Sequence, residues 1–150
     1  MTPRQTRTAL VVMMVSAGPM LLALDLVAQH FVLASQPEDA RLLIRELATR
    51  FAWLVVPAPV VGGLAGFLAY RKLHTYQYPR LALTSTPEKA AQAADLTSLM
   101  LAASLPQLPS LLGDFSLILG AELTPVLCST TLSTVMVLLI ALLARPAPGT

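Results

Sequence analysis

LTSLMLAASLPQLPSLLGDFSLILGAELTPVLCSTTLSTVMVLLIALLA, residues 96–144, is the stretch whose reading decides the fold. It is almost wholly apolar, yet it carries Pro106, Gln107, Pro109 and Asp114, then a hydroxyl-rich run from Cys128 to Thr134. About 20 apolar residues in a helix cross a hydrocarbon core of ~30 Å, and each half of the stretch is long enough. A carboxylate set among leucines has to be neutral, paired or facing something polar. The stretch therefore reads as two membrane-spanning helices, about Leu96–Ala121 and Pro125–Ala144, with a polar layer between them. Gly120 to Thr124 makes the turn, and Pro125 suits the first turn of the helix that follows.

Composition extends this to the whole chain. Of 150 residues, 55% are hydrophobic and 12% charged, against roughly 25% charged in a soluble domain. Mean hydropathy is +0.69. Aromatics are only 5%, so the apolarity is aliphatic and spread along the chain. The length holds a single membrane domain, residues 1–150, and no separate soluble module of any size. A net charge of +2 without a basic block argues against nucleic acid. Cys128 is the single cysteine, which excludes an intrachain disulfide or a thiolate metal site. Neither a metal nor another cofactor is expected.

Outward toward the N-terminus, Leu73–Asp95 is the one long polar segment, expected as a loop over 71–95. Within it, Thr86-Pro87-Glu88-Lys89 reads as an N-cap with proline at the first helical position. Phe51–Tyr70 is the cleanest span, with Trp53 and Tyr70 near its ends and Arg71 and Lys72 following. Pro57 and Pro59 should break it locally, and Gly62 and Gly66 form a flat strip for close helix approach. Residues 35–50 read as an amphipathic connector with Leu42, Leu43 and Leu47 on one face. Ala9–Ala34 is the first span, bearing Asp25 in its later half. Arg4 and Arg7 before it resemble a signal n-region, but 26 apolar residues exceed the usual h-region of about 7–15, so an uncleaved helix is expected. Pro19 should kink that helix, and Pro106 and Pro109 should break the third span and free carbonyls that need partners.

Orientation follows from the bases. Arg4, Arg7, Arg71, Lys72, Arg80, Lys89 and Arg145 fall on one side, and Arg41, Arg45 and Arg50 on the other. The positive-inside rule then places both termini in the cytoplasm. The expected fold is all-α, a polytopic membrane protein with a four-transmembrane-helix bundle. Its two halves have a similar plan, Met14–Pro19 and Asp25 paralleling Met100–Pro106 and Asp114, as a parallel repeat would.

Depth gives the candidate site. Asp25 and Asp114 lie nine and seven residues from the outer ends of their spans, about 10–14 Å below the surface. Span four starts outside, so Ser129, Thr130, Ser133 and Thr134 occupy a comparable layer, paired i,i+4 on adjacent stripes. Two uses are open. The layer could handle protons or cations, since two nearby acids do not both ionise easily. Or Asp114 could be a neutral fastener, bonded to hydroxyls or proline-freed carbonyls.

Ser35-Gln36-Pro37-Glu38 between two spans resembles the polar loop of rotary-ATPase proteolipids. That family's proton carboxylate sits in the following helix, and Phe51–Tyr70 has none, so no role is carried over. No phosphate loop, nucleophile elbow or HExxH is present, which argues against an enzyme. The expected function is an accessory or structural subunit of a membrane complex. The alternative is a proton- or cation-coupled transport component. Expected partners are the lipid bilayer and either another protein or further copies of this chain, in a bacterial inner membrane.

Overall fold

The computed structural model describes residues 3–34, 37–83 and 85–144. Five helices follow in order: α1 Pro3–Ala34, α2 Glu38–Val55, α3 Ala58–Ala82, α4 Pro87–Ile118 and α5 Leu123–Leu143. No strand occurs among the described residues. Four helical stretches are long and apolar enough to cross a membrane: Gln5–Val32, Glu38–Ala82, Pro87–Ile118 and Leu123–Leu143. The start of the connector at Ser35-Gln36 and the stop at Arg145 to Pro148 lie outside the described residues.

Side chains are sorted the reverse way from a water-soluble bundle. Large apolar residues face outward, with Leu54 77% and Phe31 70% exposed. The interior of α4 is built from small ones: Ala90, Ala94, Ser98, Ala102, Ala103, Ser110 and Gly113 are all buried. Burying leucine gains nothing over lipid tails that are equally apolar, so helices associate through small residues that let backbones approach. The exposed aliphatic surface, together with the length of the helices, suits a membrane protein.

α4 is the central rod. α1, α2, α3 and α5 all pack on it. Ala48 and Ala52 of α2 cluster with Leu117, Ala121 and Val126. Farther along, Gly62 and Gly66 of α3 lie against Leu105 and Ala102, and Tyr70 reaches Asp95. Thus α2 and α3 together run antiparallel to α4. They are separated at Val56-Pro57, where proline has no N–H to donate and its ring crowds the preceding turn. Pro59 falls in the first turn of α3, where the missing donor does no harm.

The other prolines do not break their helices. Pro19 lies inside α1, and Pro106 and Pro109 lie inside α4, which runs on to Ile118. Pro106 leaves the Ala102 carbonyl without its helical donor, and Pro109 does the same to Leu105. Those two carbonyls face the glycine strip. A Cβ at Gly66 would lie 2.4 Å from the Ala102 oxygen, and one at Gly62 would lie 2.6 Å from the Leu105 oxygen. The freed carbonyls therefore meet glycine Cα–H groups, a weak but recurrent contact between helices. Neighbouring helices re-satisfying a proline site in this way is how membrane helices tolerate it.

The polar segment expected as a loop over 71–95 is mostly helical. α3 continues past Tyr70 to Ala82, and α4 starts at Pro87 with Thr86 extended before it. The extension carries side chains that stack along it. His74 and Tyr78 lie 6.5 Å apart and nearly parallel, and the Arg80 guanidinium sits 4.1 Å from the Tyr76 ring centre. Such i,i+4 stacking supports helix where polarity alone suggests a loop.

Candidate functional site

Two polar clusters sit at different levels of the bundle. The first is where α1 begins and α5 ends. Asp95, on α4, accepts from the Tyr70 hydroxyl of α3 at 2.5 Å and pairs with the Arg7 guanidinium of α1 at 3.5 Å. Arg7 also donates to the carbonyls of Ala141, at 3.1 Å, and Ala144. Those carbonyls belong to the last turn of α5, which has no helical donors and carries the negative end of its dipole. One guanidinium thus caps α5 and holds a carboxylate. Asp95 and Tyr70 are buried, and four helices meet at this clamp.

The second cluster lies at the α4–α5 contact toward the turn joining them. Asp114 is 2% exposed. Thr130 lies 3.2 Å from its Oδ1 and 3.0 Å from the Val126 carbonyl. A hydroxyl has one proton. The Thr130 hydroxyl therefore shares its proton between the Val126 carbonyl and Asp114 Oδ1. Asp114 Oδ2 and Ser129 Oγ are buried without hydrogen-bond partners. Ser129 packs on Gly113, where a Cβ would stand 3.7 Å from the Ser129 hydroxyl. Thr134 bonds back to the Thr130 carbonyl at 2.9 Å, and Ser133 is buried on the same helix. Serine and threonine in spanning helices commonly bond their own backbone in this way.

Among the described residues, no hydrogen bond joins Asp25 to Asp114. Gly18, not Asp25, is the α1 residue facing Thr130; its Cβ would come within 3.1 Å of Thr130 Cγ2. Asp25 is seven residues farther along, about 10 Å on the helix axis. Leu22 already packs against the cluster of Leu117 and Ala121 near the α4–α5 turn. The depth count from span ends places the two acids level. α4 ends at Ile118, three residues short of the Ala121 from which the depth of Asp114 is counted.

The clamp is what residue-by-residue reading of the sequence misses. Arg7 serves there as an orientation signal and Asp95 as the end of a loop. A signal was present, since both border apolar runs at the same end of parallel spans. Gln107, noted only as part of a proline cluster, donates to the Met14 carbonyl at 2.9 Å and ties α4 to α1. Among the described residues, no group of three or more His, Cys, Asp or Glu is placed to hold a metal ion. Comparison with protein families, with curated proteins and with solved structures finds no match to this chain.

Proposed function

We propose that this chain is a small structural or accessory subunit of a membrane complex, with both ends on the cytoplasmic side. The use of its buried polar side chains supports this reading. Arg7, Tyr70, Asp95 and Gln107 each bond across to another helix. They act as fasteners that set helix register, which is what polar groups in apolar surroundings do when they are not on a transport path. α1 fits a subunit role as well, because almost none of its apolar window is buried within the chain. Its outward face, with Val12, Met13, Met20, Leu24 and Phe31 exposed, is open to lipid or to another helix.

The test is gentle extraction after cross-linking in the native membrane. The expected result is a partner, or further copies, at fixed ratio to this 16.0 kDa chain. Recovery of the lone chain at every detergent and cross-linker concentration would overturn the proposal.

One observation favours a second reading, a proton- or cation-handling component. Asp114 Oδ2 and Ser129 Oγ, on α4 and α5, are both buried with open hydrogen-bonding capacity. A group of that kind in a spanning helix is a place for a proton or small cation to rest. This reading requires Asp114→Asn to remove acid-dependent flux.

A further inference from the structure

The helix ends opposite the clamp border an open cavity of about 770 Å³, within the roughly 300–1,000 Å³ usual for ligand pockets. Its lining has an unusual order. Glu38, Arg41, Leu42 and Arg45 stand at i, i+3, i+4 and i+7, so one stripe of α2 supplies two guanidinium groups, a carboxylate and a leucine. The α4–α5 turn closes the other side with Glu122, beside Leu117 and Leu123. α2 and α5 both start here, at Glu38 and Leu123, so the positive ends of two helix dipoles border the cavity.

Two bases with two helix N-termini suit a phosphate, and two carboxylates suit an ammonium next to it. A pocket carrying both signs is poorly matched to a simple anion. The leucines extend the lining onto apolar surface, Leu42 being largely exposed. We propose that this cavity binds the headgroup of a zwitterionic phospholipid with a primary amine, of the phosphatidylethanolamine class. The phosphodiester lies against Arg41 and Arg45, the ammonium toward Glu38 and Glu122, and an acyl chain along Leu42 and Leu123. This rests on the membrane character of the chain and is independent of any partner subunit.

The test is lipid retention by the full chain in detergent, measured by native mass spectrometry. Phosphatidylethanolamine, phosphatidylcholine and phosphatidylglycerol of identical acyl chains are offered in equal amounts. Phosphatidylethanolamine should be retained about tenfold over phosphatidylcholine, whose quaternary ammonium cannot donate a hydrogen bond. Arg45→Gln, an exposed position, should weaken retention of all three. Glu122→Gln, also exposed, should narrow the gap between the ethanolamine and choline lipids. Soluble phosphoethanolamine should fail to displace the bound lipid. Equal retention of ethanolamine and choline lipids, a preference for phosphatidylglycerol, or displacement by soluble phosphoethanolamine would each overturn the proposal.

Discussion

The clamp at Arg7, Tyr70 and Asp95 and the cluster at Asp114 are built from similar materials and finished differently. Each places a buried carboxylate of α4 against a hydroxyl of a neighbouring helix. At the clamp, Asp95 also has a cation, and that cation has the last carbonyls of α5. At Asp114 no cation is in contact among the described residues, and Asp114 Oδ2 and the Ser129 hydroxyl lack partners. A satisfied polar group among apolar side chains is a strong fastener, whereas one with open valence gives back part of what its bonds contribute. The difference teaches that polarity in a spanning helix does not by itself mark a site. What matters is whether the polarity is already answered.

The difference can be broken from the clamp side first, where the effect should be largest. Asp95→Ala leaves the Arg7 guanidinium facing α5 without its carboxylate. Breaking such a pair costs about 3–5 kcal/mol, to be read from unfolding of the detergent-solubilised chain. An Arg7→Leu/Asp95→Leu double variant should recover much of that loss, since apolar replacement of both partners leaves no stranded charge. Next comes the seam that holds both clusters in register. Gly66→Ala drives a methyl group into the Ala102 carbonyl and the Ile140 side chain, and overpacking of this kind costs about 1–3 kcal/mol. Backbone on one side leaves little room to relax. Tyr70→Phe removes one hydrogen bond to a charged group, worth roughly 1.5–3 kcal/mol at most because Arg7 still holds Asp95. The smallest effect should be Asp114→Asn. The amide keeps a partner for Thr130, and its second polar group is no worse placed than the unpartnered Oδ2, so stability should change by less than ~1 kcal/mol. A loss at Asp114 as large as that at Asp95 would erase the distinction between them.

Architecture was legible from the chain because hydropathy and helix length are local properties. The spans, the proline break at Val56-Pro57 and the helix start at Pro87 depend on residues that are neighbours in sequence. The helical extension to Ala82 was hidden by its polarity, since the stacking that holds it pairs residues one turn apart in a segment poor in apolar signal. The partners of the proline-freed carbonyls were half legible. Proline chemistry says that the Ala102 and Leu105 carbonyls need company, and the glycine spacing says that some backbone comes close to α3. Only the register of α3 on α4 shows that the two requirements meet. The clamp and the Gln107–Met14 bond were illegible for the same reason. Both depend on how α1 lies against α4, and nothing in either helix taken alone sets that offset.

If the polar side chains are fasteners, the purified chain reconstituted alone in liposomes should carry no more acid-driven proton or cation flux than empty vesicles. Asp114→Asn should then leave that baseline unchanged. Flux well above empty vesicles with the wild-type chain, abolished by Asp114→Asn while the fold is retained, would contradict the fastening role and make the open valence at Asp114 the working part of the molecule.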